Sequence, residues 1–133
     1  MSDLTIGLLA KESGVRIDTI RYYEQLGLVK PDSRSEAGYR LYGPESVTLV
    51  QFIRRAKDLG FKLAEIKTLL TLQASQTATC KDILERTDQK LAEAKENIKQ
   101  LKNIHDALEK LSGACPGGDM PLNECPILDY LYP

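Results

Sequence analysis

Three cysteines, Cys80, Cys115 and Cys125, carry the most reactive side chains of this 133-residue chain. A thiolate is a soft ligand that selects thiophilic ions over hard ones. Three is an odd number and the spacing is long, which does not describe the disulfide framework of a small secreted domain, so reduced thiols are expected. A second set is made of arginines, tyrosines and a lysine between Arg16 and Lys57. The planar guanidinium fork pairs with phosphate oxygens or with guanine edges, so such a set suits a polyanion. No enzyme is expected, because a single histidine, His105, stands without a recognisable carboxylate pair or a phosphate-binding glycine loop.

These side chains need elements to position them. Ile6, Leu9 and Ala10 fit a short helix from Thr5 that Gly14 closes, and Arg16 to Leu26 fits a second with Ile17, Ile20 and Leu26 inward. The polar and aromatic face of that second helix holds Arg16, Thr19, Arg21, Tyr22 and Tyr23. Two short helices around a glycine-containing turn predict a helix-turn-helix. The turn-rich stretch Lys30 to Tyr42 then predicts a small hairpin or wing. Gly43-Pro44 opens a third helix with Val47, Val50, Ile53 and Ala56 on one side, ending near Gly60. Phe61 to Leu72 makes a fourth, and Gln73 to Thr79 reads as a polar linker.

Thr79-x-x-Asp82 resembles a capping box and starts the longest periodic segment. Leu84, Leu91, Ala94, Ile98, Leu101, Leu108 and Leu111 recur at steps of three and four, with Thr87 and His105 also on that seam. A helix from Lys81 to Leu111 would be about 45 Å long. One apolar seam on so long a helix requires a partner helix, and a second copy is the simplest source. The tail from Gly113 onward holds Cys115 and Cys125 around a loop rich in Gly and Pro, followed by a turn or two of helix.

Composition sets the bounds. With 42% apolar and 28% charged residues the chain is an ordinary globular one, and no run is apolar enough for a membrane span. The start of the chain shows no signal sequence, so a cytoplasmic protein is expected. Residues 1–62 hold 10 Lys/Arg against 8 Asp/Glu, and residues 63–133 hold 8 against 11, charges of +2 and -3. A mildly basic front half permits phosphate contacts without demonstrating them.

Several separated motifs occur together in one order: Thr5-Ile6-Gly7, Gly14-Val15, Asp18-Thr19-Ile20-Arg21-Tyr22-Tyr23-Glu24, Gly27-Leu28, Gly38-Tyr39-Arg40-Leu41-Tyr42, and Phe52-Ile53-Arg54-Arg55-Ala56-Lys57-Asp58-Leu59-Gly60-Phe61. In that combination the chain resembles the MerR family over essentially its whole length. The resemblance implies a mainly α fold: a winged helix-turn-helix DNA-binding domain (1–72), the linker (73–79), a long antiparallel coiled-coil dimerisation helix (80–112) and a short metal-binding C-terminal loop (113–133). It assigns groove contacts to Arg16, Thr19, Arg21 and Tyr22 and wing contacts to Arg34, Gly38, Tyr39 and Arg40. Tyr23, Tyr42, Arg54 and Lys57 are further DNA-binding candidates. It also implies a homodimer on promoter DNA that serves RNA polymerase, repressing without metal and activating when loaded, by distorting the operator.

Cys80 opens the long helix and Cys115 follows its end, so one chain cannot bring them together. If two long helices pair antiparallel, Cys80 of one subunit approaches Cys115 and Cys125 of the other, giving two three-thiolate sites per dimer. Three sulfurs suit mercury(II) first; lead(II), cadmium(II) and zinc(II) remain open. In the resembling family, a cysteine at the Cys80 position marks sensors of divalent ions. The zinc branch adds a neighbouring cysteine and a loop histidine, whereas Ala114 and Pro116 flank Cys115 here; Asp119 or Glu124 could add oxygen. The alternative reading is a thiol redox regulator in which Cys115 and Cys125 close on oxidation.

Overall fold

A computed structural model of the chain describes residues 3–133. It divides into two units, Met1–Ile83 and Leu84–Pro133. The first contains a short strand β1 (Leu4–Thr5), helices α1 (Ile6–Ser13) and α2 (Ile17–Gln25), the hairpin β2 (Ser33–Arg34) and β3 (Arg40–Tyr42), then α3 (Glu45–Asp58) and α4 (Leu63–Ala74). This is a winged helix-turn-helix, as expected.

Local chemistry sets the boundaries. The Thr5 hydroxyl accepts from Leu8 N–H at the start of α1, and Gly14 ends it with φ 74, a left-handed backbone that favours glycine. A Cβ at Gly14 would also meet a guanidinium nitrogen of Arg54 at 2.8 Å. That arginine donates to the Gly14 carbonyl at 3.0 Å, fastening the helix-turn-helix turn to α3. At the start of α4, Lys62 N–H donates to the Glu65 carboxylate at 2.7 Å. The fourth helix runs on to Ala74, so the linker is shorter than expected and comprises 75–79. Nothing in Gln73 or Ala74 opposes helix, whereas Ser75 receives N–H groups of Thr77 and Ala78 on its hydroxyl and turns the chain.

The sheet order is β1-β3-β2, antiparallel throughout, with Leu4 opposite Tyr42 and Arg34 opposite Arg40. Its wing turn is held by Gly38 N–H to the Ser35 carbonyl and by Tyr39 N–H to the Ser35 hydroxyl. The core beneath consists of Leu9 and Ala10 from α1, Ile20 and Tyr23 from α2, Val50, Ile53 and Ala56 from α3, Ile66 and Leu69 from α4, and Tyr42 from the wing. Ile17, expected inside, is instead exposed at the first position of α2.

Helix α5 (Cys80–Ala114) is 35 residues, about 50 Å. Thr79 N–H donates to the Asp82 carboxylate at 2.8 Å, one arm of the capping box read from the sequence. The helix extends to Ala114, past its expected end, so that Cys115 follows its last turn directly. A 3-10 turn (Leu122–Glu124) and α6 (Pro126–Leu131) complete the second unit. No described helix is long and apolar enough to cross a membrane.

Candidate nucleic-acid interface and thiol site

The DNA-binding candidates sort by exposure. Arg16, Arg21 and Tyr22 are exposed on α2 and Thr19 is half-buried; Arg34, Gly38, Tyr39 and Arg40 are exposed on the wing; Arg54 and Lys57 are exposed on α3. Arg16, the N-cap of α2, lies 3.4 Å from Asp18, an exposed pair that leaves its guanidinium free to change partner. Arg34 donates to the Gly38 carbonyl at 3.2 Å, so the wing tip is braced by one of its own candidates.

Two candidates require correction. Tyr42 is 0% exposed and Tyr23 5%, so both rings belong to the core rather than to a DNA contact surface. Tyr42 stands on the inner side of β3 opposite Leu4, and its hydroxyl has no hydrogen-bond partner among the described residues. Tyr23 turns inward because it lies one helical turn from Ile20; burial pushes its phenol pKa up, with Arg54 opposing and Asp58 adding to the rise. An apolar ring with a polar tip serves either role, so residue type alone could not separate them.

Glu24 has a role that the sequence reading did not assign. Its carboxylate, nearly enclosed, binds Arg40 at 3.1 Å and ties the wing to α2. The signal was an acidic residue in the middle of a basic and aromatic face, where a DNA surface would otherwise repel phosphate.

In the second unit, Cys115 and Cys125 are half-buried free thiols, and the Cys115 side chain is near enough to act on the Cys125 thiol. Gly117 and Gly118, both at left-handed φ (72 and 67), let the loop between them reverse. Cys125 is the N-cap of α6. The Leu128 N–H, the largest cause, then the Ile127 N–H and the Cys115 thiol lower its pKa against the opposing effect of burial. The folded chain therefore favours the Cys125 thiolate more than the unfolded chain does. This contribution to stability is present above the unfolded pKa and is lost as pH falls through the folded one. Alkylation of Cys125 by iodoacetamide, followed by peptide mass against pH, should show a midpoint below that of the same cysteine in urea.

Cys80 is exposed at the first position of α5. Among the described residues no group of three or more His, Cys, Asp or Glu is placed to hold an ion, so neither Asp119 nor Glu124 completes the Cys115–Cys125 pair within one chain. Two thiols, one favoured as thiolate, fit a soft ion and leave its coordination incomplete. His105 is exposed and contacts Asp106 at 3.2 Å and Glu109 at 3.5 Å.

Fold and exposed basic face together define a winged helix-turn-helix DNA-binding protein whose second unit carries two free thiols. Residues 4–73 match the family described as MerR HTH family regulatory protein, and residues 47–111 match that described as MerR, DNA binding. The chain is 40% identical over 126 residues to the mercuric resistance operon regulatory protein of Bacillus cereus, covering 95% of each. It is 39% identical over 128 residues to heavy metal-dependent transcription regulator 2 of Rhizobium meliloti (strain 1021), covering 96% of this chain and 86% of that one. The crystal structure of the transcription regulator PbrR691 from Ralstonia metallidurans CH34 in complex with lead(II) matches with a TM-score of 0.83 at 30% identity, covering 96% of this chain and 98% of that chain. The chain belongs to the MerR family of helix-turn-helix transcription regulators. These relatives are regulators, not enzymes.

Proposed function

We propose that the chain is a cytoplasmic, metal-responsive transcription regulator that acts as a homodimer on double-stranded promoter DNA. The observation that carries the metal reading is the Cys115–Cys125 pair, two half-buried free thiols flanking one loop, with Cys125 held toward thiolate. The relatives named for mercury and for heavy metals, and the neighbour solved with lead(II), support it. Cys80 of the partner subunit supplies the third sulfur of each site. The inducer is a soft divalent ion, mercury(II) first, with lead(II), cadmium(II) and zinc(II) as the competing choices. Its chemistry is to bind thiolate strongly enough to hold together the two ends of the loop that Gly117 and Gly118 reverse.

Support for the dimer comes from α5, which has no buried residue: Leu84, Leu91, Ile98, Leu101 and Leu108 are each more than half exposed along one seam. Such a stripe needs a second helix. Arg16, Thr19, Arg21 and Tyr22 enter the groove, Arg34, Gly38, Tyr39 and Arg40 hold the backbone, and Arg54 and Lys57 flank them. The dimer occupies its operator in both states, repressing without metal and activating by bending and untwisting the DNA so that RNA polymerase engages both promoter elements.

The same pair of free thiols favours a second reading, a redox regulator. There the two thiols give up two electrons and two protons to an oxidant such as hydrogen peroxide, which leaves as two waters, and a Cys115–Cys125 disulfide forms.

Titration of the reduced protein with mercury(II), lead(II), cadmium(II), zinc(II) and copper(I), with transcription from its own promoter under each, separates the two. Activation by one divalent ion, lost in Cys80→Ser, is the expected result. Activation by peroxide with no metal response would replace the metal reading with the redox one.

A further inference from the structure

Two residues interrupt the exposed apolar seam of α5: Thr87 and His105 stand on it among leucines and isoleucines, and both are exposed in the single chain. In heptad terms Leu84, Leu91, Ile98 and His105 share one core position, and Thr87, Ala94, Leu101 and Leu108 share the other. Antiparallel helices pack one core position against the other. One register brings Leu84 to Leu108 of the partner subunit, Leu91 to Leu101 of the partner subunit, and Ala94 to Ile98 of the partner subunit. The same register brings Thr87 to His105 of the partner subunit, so both polar interruptions fall in one layer instead of facing leucine.

The flanking charges select that register independently. It sets Asp88 against Lys102 of the partner subunit and Lys81 against Glu109 of the partner subunit, each twice by symmetry; Lys95 meeting its own copy at the dyad is the one like-charge contact on that flank. A shift of one heptad one way places Ala94 against His105 of the partner subunit, Asp88 against Glu109 of the partner subunit and Lys95 against Lys102 of the partner subunit; a shift the other way buries Thr87 against Ile98 of the partner subunit and sets Lys81 against Lys102 of the partner subunit, keeping only Asp88 against Lys95 of the partner subunit as an attraction. A parallel pair would stack His105 on its own copy and set Lys90 beside Lys95.

We infer that Thr87 and His105 form a polar layer across the dimer that locks α5 in the antiparallel register presenting Cys80 to the partner's cysteine loop. The inference rests on the antiparallel dimer proposed above and adds what fixes its alignment. In the single chain the His105 Nδ1 lies 3.2 Å from Asp106 and Nε2 lies 3.5 Å from Glu109. When Glu109 turns to Lys81 of the partner subunit, Nε2 is the ring atom that meets the Thr87 hydroxyl. A single polar pair in a coiled-coil core specifies alignment at some cost in stability, because displaced registers bury its polar groups against hydrocarbon. In the selected register Cys80 lies level with Ser112 of the partner subunit, one helical turn before Cys115.

The test uses the full chain with its three native cysteines replaced by serine, its mass first measured by sedimentation. Thr87→Cys and His105→Cys are then introduced singly and together, and Ala94→Cys with His105→Cys is made to report the displaced register. After mild oxidation and denaturing electrophoresis, nearly complete conversion of the Thr87→Cys, His105→Cys chain to covalent dimer is expected, with none in the single variants. Crosslinking of either single variant means a parallel pair and overturns the proposal. Crosslinking through Ala94→Cys, or a dimer that crosslinks in no variant, overturns the register while leaving the dimer intact. A monomer by sedimentation overturns the dimer reading itself.

Discussion

Tyr42→Ala is expected to unfold the DNA-binding unit at ordinary temperature, or nearly so, and to abolish operator binding with it. Tyr42 is the largest fully buried side chain of the unit, and it lies on a three-residue strand that joins β1 to the wing. Truncating a buried aromatic costs about 3–5 kcal/mol, against about 5–15 kcal/mol for the whole stability of a typical domain. Tyr42→Phe separates the ring from its hydroxyl. Because that hydroxyl is buried without a partner among the described residues, its removal should leave the melting temperature unchanged or raise it, with operator affinity unaltered. Thermal denaturation by circular dichroism and a fluorescence-anisotropy titration of operator DNA measure the two effects. Weakened DNA binding by a stably folded Tyr42→Phe protein would return the residue to the interface.

Cys125→Ser should have the largest effect on the sensing function. Cys125 makes no side-chain cap bond at the start of α6 and serine is a favoured residue at that position, so the fold is expected to survive. As a ligand for a soft ion it is poor, and the two N–H groups that favour a thiolate no longer have one to stabilise. Loss of one of the three sulfurs proposed for the site should weaken binding of the inducing ion about a hundredfold or more, beyond what loss of an outer-shell partner costs. Competition against a chelator of known affinity measures the loss, while the same operator titration without metal should match the parent protein. An unchanged ion affinity would remove Cys125 from the ligand set. Affinity for the ion should also fall on acidification, because protons compete for the sulfurs, and Cys125 should resist that competition to a lower pH than an unperturbed thiol.

The sequence made the elements legible where a local signal carried the information. Thr5 and Gly14 mark the two ends of α1, Gly43-Pro44 announces α3, and the three- and four-residue steps after Thr79 announce the long helix. Side-chain direction was less accessible. Tyr22 and Tyr23 are neighbours of one residue type, and only the angle of each to Ile20 decides that the first is 51% exposed and the second buried. On β3 three residues are too few to show an alternation, so Tyr42 could not be separated from Tyr39. The Glu24–Arg40 pair joins a helix to a wing and depends on how the hairpin folds back, which no local pattern encodes. For the thiols, chain spacing allowed Cys115 and Cys125 to approach one another, but the left-handed pair Gly117 and Gly118 and the place of Cys125 at the start of α6 shape the loop between them.

The hydrogen bond from Arg54 to the Gly14 carbonyl spans 40 positions of chain. Its consequence concerns portability. The helix-turn-helix read from Thr5 to Leu26 is a contiguous stretch and invites transplantation into another scaffold, yet the group that braces its turn and the residues Val50 and Ile53 that seal its underside arrive only with α3. Excised, the motif would keep its face of arginines and tyrosines and lose the fastening that gives that face one shape. The smallest exchangeable part of this regulator is therefore the motif, the wing and α3 taken together.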